Sequence, residues 1–109
     1  MHELSITQSI VEVCSERADG ARVRRVTLEI GRLTCVAPEA LRFCYEVCAE
    51  GTRLQGSELE IIEISGRARC RACGDELELS DLLSPCACGS HDLHYLAGEE
   101  LRIKEMELM

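Results

Sequence analysis

The sequence predicts an α+β fold: two helices on a small, about three-stranded sheet, with a cysteine-rich lobe inserted before the last strand. Three observations carry this. Two segments, 4–18 and 38–50, repeat their apolar residues at helical spacing. Three others, 22–30, 58–65 and 100–108, have strand character. Between the last two strands lies 66–98, which holds half of the cysteines and two of the three histidines.

The first helix is read over 4–18, with Leu4, Val11, Cys14 and Ala18 on one face and Ile10 and Val13 widening it. Asp19-Gly20 stops it, Gly20 being free to take the left-handed conformation. Along 22–30, Val26, Leu28 and Ile30 alternate with Thr27 and Glu29, the pattern of a half-buried strand that Gly31 ends. The second helix starts at Pro38, a residue suited to the first turn, and Leu41, Cys44, Tyr45 and Cys48 line one side of it. Gly51 is its expected C-terminal cap. The strand over 58–65 slips phase between Ile61 and Ile62, which calls for a bulge or for burial on both faces. The last strand changes phase too, from Leu101 and Ile103 to Met106 and Leu108, and is expected to return to the first lobe. The expected lobes are therefore 1–65 with 99–109, and 66–98.

At 109 residues the chain has room for one domain or two small lobes, and a lobe as short as 66–98 needs a staple to fold. Twelve Lys and Arg against twenty Asp and Glu give a net charge of −8. That balance argues against nucleic acid as the main partner, since binding phosphates needs a basic face. Phe43, Tyr45 and Tyr95 are the whole aromatic complement, too little for a base-stacking platform. The first twenty residues are studded with charges and lack the apolar core of a signal peptide, and no apolar run is long enough to cross a bilayer. The expected compartment is the reducing cytoplasm, where clustered cysteines more often bind metal than pair as disulfides.

The four cysteines in the insert read Cys70-Arg-Ala-Cys73-Gly and, twelve residues on, Cys86-Ala-Cys88-Gly. Soft thiolates at this spacing select Zn(II), and four of them close the site, so the metal is expected to be structural and the lobe zinc-ribbon-like. A glycine after each pair lets the backbone turn its amides toward the sulfurs. The second pair is one residue shorter than usual, and His91 is a candidate to replace one of its members. Two disulfides or a redox Cys-x-x-Cys are the alternative. The redox reading lacks the strand and helix that would flank such a motif.

At the other end, Met1 and His2 offer a different donor set. The α-amino group, the His2 amide nitrogen and its imidazole can close fused chelate rings around one ion, and such nitrogen donors suit Ni(II) or Cu(II). A polar, disordered start to a helix is the plain alternative.

Several blocks, in order and with the spacing of one colinear domain, resemble the HypA/HybF family of hydrogenase-maturation nickel chaperones. They are Met1-His2-Glu3-Leu4-Ser5, Leu28-Glu29-Ile30-Gly31, Pro38-Glu39-Ala40-Leu41-Arg42-Phe43, the pair Cys70 and Cys73, Cys88-Gly89-Ser90-His91-Asp92-Leu93 and Gly98-Glu99-Glu100-Leu101-Arg102-Ile103-Lys104. The resemblance implies nickel held by the Met1 amino group, the His2 amide and imidazole, and the backbone or carboxylate of Glu3. It implies delivery to the large-subunit precursor of a [NiFe]-hydrogenase, together with a maturation GTPase. Two features depart from the family pattern. One is the short Cys86-Ala-Cys88 pair. The other is Ala37, where family members often carry a carboxylate; a nickel site here would rely on Glu39, on water or on the N-terminal ligands alone.

The competing function is a zinc-ribbon interaction module that transfers no metal; nickel stoichiometry beside zinc separates the two. No nucleophile, base and acid arrangement and no phosphate-binding glycine loop marks an enzyme. Cys44 and Cys48, a helical turn apart, and Cys14 are read as core, since free cysteine packs as a small hydrophobe. Cys35 is read as a loop residue without a role. His91 and His94 are candidates to tune the zinc from behind the ligands or to meet a partner, and the glutamate clusters are read as solvated strand faces. A homodimer is compatible with the sequence.

Overall fold

The structure, a computed structural model, describes residues 2–109. Met1, the first residue expected to hold nickel, lies outside the described residues.

Helix α1 spans Glu3–Ala18 and ends in two left-handed residues, Asp19 at φ 48° and Gly20 at φ 88°. Its buried stripe is Thr7, Ile10, Val11, Cys14 and Ala18. Leu4 and Val13, expected on that stripe, are 49% and 40% exposed. The stripe runs through Thr7 instead, and its hydroxyl is satisfied within the helix by the Glu3 and Leu4 carbonyls at 3.0 and 2.9 Å. A polar residue that bonds back to its own turn is cheap to bury.

Strand β1 (Val23–Gly31) is the middle strand of a three-stranded sheet ordered β2-β1-β6, with β2 at Glu58–Ile64 and β6 at Leu101–Leu108. Val26, Leu28 and Ile30 are buried as the alternation requires; Thr27, expected outward, is buried as well. The final strand does return to the first sheet. The Met109 amide donates to the Arg22 carbonyl and the Gly31 amide to the Glu100 carbonyl, so β6 runs antiparallel to β1. In β2, Leu59 is buried while Ile61, Ile62 and Ile64 are half-buried, which is how the slipped apolar phase is accommodated.

A 3-10 turn at Arg32–Thr34, not expected from the sequence, leads to helix α2 (Pro38–Ala49), which opens on its proline. Leu41, Tyr45 and Ala49 form the buried face of α2. Cys44 and Cys48 flank it half-buried, and Cys35 is exposed. The Tyr45 hydroxyl meets Ser57 Oγ at 2.6 Å, and Gly51 takes φ 78° just beyond the helix end.

The chain divides into two compact units. The first comprises the chain up to Leu28, Val36–Ile62 and Arg102–Met109, around Val26, Leu28, Leu41 and Leu54. The second comprises Glu29–Cys35 and Glu63–Leu101, and so extends beyond the 66–98 expected. It holds a second three-stranded sheet, ordered β4-β3-β5, of β3 (Gly66–Cys70), β4 (Glu76–Leu79) and β5 (Leu93–Ala97), both pairings antiparallel. Its small core is Leu33, Ala68 and Leu79, with Leu77 and Leu93 packed against them. Leu33 comes from the 3-10 turn, far from the insert in sequence. Its amide donates to the Gly98 carbonyl at 2.8 Å. The backbones here are too close for side chains: a Cβ on Gly31 would lie 1.9 Å from the Gly98 oxygen, and Gly98 itself sits at φ 110°.

Candidate metal centres

Cys70 is the last residue of β3, so the sheet places it at the base of the first turn. There the Gly74 amide donates to the Cys70 carbonyl and the Cys70 amide to the Asp75 carbonyl, both at 2.8 Å. Gly74 is at φ 82°, which only glycine takes without strain. The second turn has the same construction in fewer residues. The Gly89 amide donates to the Cys86 carbonyl at 2.8 Å, the Cys86 amide to the Ser90 carbonyl at 2.9 Å, and Gly89 is at φ 90°.

The two turns bring Cys70, Cys73, Cys86 and Cys88 together, with all four sulfurs within 4.8 Å of one another. Cys70 faces Cys88 at 3.7 Å and Cys73 faces Cys86 at 3.6 Å. A Zn–S bond of about 2.3 Å sets the edge of a tetrahedron of sulfurs at about 3.8 Å. The cluster therefore has the size of a zinc site and is far too open for a disulfide, whose sulfurs stand about 2.0 Å apart. All eight cysteines are free thiols. The short Cys86-x-Cys88 pair reaches this geometry without His91, which is exposed and is not part of the cluster.

The electrostatics fit a cation. The Cys73 amide, and after it the Ala72 amide, aim at the Cys70 sulfur and pull its pKa down to about 6 against the effect of burial. Cys73 receives the Asp75 amide, yet contact with Cys86, burial and contact with Cys70 push it up to about 12. Cys88, facing the Ser90 amide, is raised in the same way, with Cys70 first among the opposing contacts. One thiolate is welcome in this cluster and further ones repel it. A divalent ion at the centre removes that conflict. Cys70 and Cys86 are buried while Cys73 and Cys88 lie at the surface.

The other expected site starts at His2, which is exposed and immediately precedes α1; its carbonyl accepts the Ile6 amide at 3.0 Å. Glu3 is half-buried, and its carboxylate accepts the Ala37 amide at 3.2 Å. That amide, followed by Glu3's own, holds the Glu3 carboxyl below its usual range. The contact also brings position 37 beside Glu3. The alanine there contributes an amide and no side-chain donor. His94 is exposed on β5, and Cys14 is buried in α1 as expected.

The comparisons agree with one another. The family model described as "Hydrogenase/urease nickel incorporation, metallochaperone, hypA" matches residues 1–108. The chain is 53% identical over 108 residues to the hydrogenase maturation factor HypA of Trichormus variabilis, covering 99% of this chain and 96% of that protein. It is 49% identical over 109 residues to HypA of Geobacter metallireducens, covering 99% of each. The solution structure of the Ni metallochaperone HypA from Helicobacter pylori superposes with a TM-score of 0.67 at 23% identity, over 100% of this chain and 98% of that one. At that identity the likeness speaks for the fold, which it shares from end to end. This chain belongs to the HypA family of nickel-incorporation metallochaperones.

Proposed function

We propose that this protein binds Ni(II) at its N-terminus and hands it over during maturation of a [NiFe]-hydrogenase, working as a carrier and not as a catalyst. The observation that carries the reading is the arrangement of His2 and Glu3: an exposed imidazole at the start of α1, next to a carboxylate already held as an anion by the Ala37 amide. The ligands proposed are the Met1 amino group, the His2 amide and imidazole, and Glu3. Position 37, which could have added a carboxylate, is alanine, so any ligand beyond the chain end would have to be Glu39 or water. A site built on one chain end exchanges its ion readily, because little structure must open for a ligand to leave.

Cys70, Cys73, Cys86 and Cys88 are proposed as the zinc ligands. Zinc, when bound, cross-links the two turns. The sheet of β3–β5 then holds them in register, and the amides of Ala72, Cys73, Asp75 and Ser90 share the charge of the thiolates. The recipients proposed are the hydrogenase large-subunit precursor and a maturation GTPase, in the cytoplasm, where the thiols stay reduced. The family description names urease beside hydrogenase, but the relatives above are named for hydrogenase, which favours it here.

The test uses chain with a native N-terminus, chain extended by one residue, and His2→Ala. Nickel and zinc equivalents are measured in each. The native chain is expected to hold both metals; the two altered chains should lose nickel and keep zinc. Nickel retained by either places the site elsewhere, and zinc without nickel in the native chain returns the protein to an interaction module.

A further inference from the structure

Helix α2 leaves two large apolar side chains uncovered, Phe43 at 69% and Val47 at 52% exposure, one turn apart on the same side. They line an open groove of about 850 Å³ within the first unit. Its other wall is Leu54, Gln55, Gly56 and Ser57, and it ends at Leu59 of β2. In the order β2-β1-β6, strand β2 is an edge. The Arg42 guanidinium, also in the groove, donates to the Leu59 carbonyl, so that acceptor is reached from the groove side and a pairing strand would take it over from Arg42. A groove between a helix and a sheet edge is the setting in which an extended peptide adds as a further strand.

The side chains of β2 specify what that strand would be. Leu59 faces the core, while Glu58 and Glu60 are exposed between and beside it. Arg25 stands 3.8 Å from Glu60, and Glu58 also acts on its charge, so one cation is shared between the two carboxylates. Glu46 and Glu50 line the groove from α2. Residues opposite each other on paired strands point to the same face. A matching strand would therefore alternate apolar residues, over Phe43 and Val47, with basic residues, beside Glu58 and Glu60.

We infer that this groove is a docking site for an extended segment of a partner protein, alternating apolar and basic residues, which pairs with the edge of β2. The inference is independent of where nickel binds. Its use would be to hold a recipient while leaving the chain end unobstructed.

The test is an amide-shift titration of the zinc-loaded full chain with the peptide Lys-Val-Lys-Val-Lys-Val-Lys. Expected are saturable shifts at Phe43, Val47, Glu50 and the amides of Ser57–Ile61, and their loss in Phe43→Ser and Val47→Ser. Both positions are exposed, so the remaining amide shifts should show an intact fold. The counterpart with Glu for Lys should bind at least about tenfold more weakly at low salt. A peptide N-methylated on the pairing edge should not bind. Shifts centred elsewhere, equal binding of the methylated or the acidic peptide, or the same shifts on simply concentrating the protein would each overturn it, the last by making the face a contact between two copies.

Discussion

Leu33 is the residue on which the second unit most depends, and Leu33→Ala measures that dependence. The side chain is 4% exposed and is one of three fully buried members of its core. Leucine-to-alanine changes in cores cost about 2–5 kcal/mol, the spread reflecting how far the surroundings can close the cavity. Closure is limited on two sides, where the walls are backbone, and open to adjustment on the others, where they are the side chains of Leu77, Leu79 and Leu93. A Cβ on Gly66 or Gly98 would already lie 2.9 Å from Leu33 side-chain carbons; Gly66 is held in β3 opposite Leu79, and the Gly98 carbonyl accepts the Leu33 amide. The cost should fall near the middle of the range, about 3 kcal/mol, which at 1.4 kcal/mol per decade is roughly a hundredfold in the opening equilibrium of the unit. Zinc leaves through that opening. Release to a colorimetric chelator, under conditions where opening limits it, should therefore accelerate roughly a hundredfold. Far-UV helical signal from α1 and α2 should be unchanged. Release at the native rate, with the fold otherwise intact, would mean that the four cysteines hold their turns without this core.

Other perturbations have equally definite outcomes. Gly31→Ala forces a methyl into the Gly98 carbonyl and should cost at least about 3 kcal/mol by urea unfolding. Cys70→Ser, or zinc removal with a chelator, should abolish hydrogen-exchange protection in β3, β4 and β5 while α1 and α2 keep theirs, since metal binding supplies folding free energy to the unit that contains it. The Glu3 carboxyl is held below its usual range, so the support it gives to the Ala37 amide is complete above the unfolded pKa of about 4.3 and disappears as pH falls through the lower folded value. The Ala37 amide shift followed on acid titration should show a midpoint below 4.5. Arg25 reaches both Glu60 and Glu107 at the surface, and Arg25→Ala should cost less than about 1 kcal/mol.

Much of the first sheet and both helices were legible because they follow local rules: proline at the start of α2, left-handed residues after both helices, and alternation in β1. What the sequence did not reveal is tertiary. Thr7 is buried and Leu4 is not, because the line of contact along α1 is chosen by its neighbours and a threonine can satisfy itself within the helix. Leu33 lies in a short irregular segment with no period to mark it, and its role depends on strands that follow much later in the chain. The cysteine spacing pointed to the metal cluster unaided, and the structure brings both Cys86 and Cys88 into it and leaves His91 out. Spacing alone could not show that, since which side chain of a short turn reaches the cluster depends on which backbone hydrogen bonds close it. At the N-terminus, residues 1–3 carry a chelating pattern, but only the fold reveals that position 37 is the neighbour of Glu3.

The pairing of β6 with β1 has a consequence for biosynthesis. The sheet of the first unit cannot be completed until β6 has left the ribosome, because β6, from beyond the insert, pairs with β1 and Met109 bonds to Arg22. All four clustered cysteines, and every strand of β3–β5, emerge before β6 does. The nascent chain can therefore take up zinc and close its second sheet while its first sheet still lacks a strand. Zinc uptake and completion of the first sheet are then successive steps of synthesis, each with its own requirement.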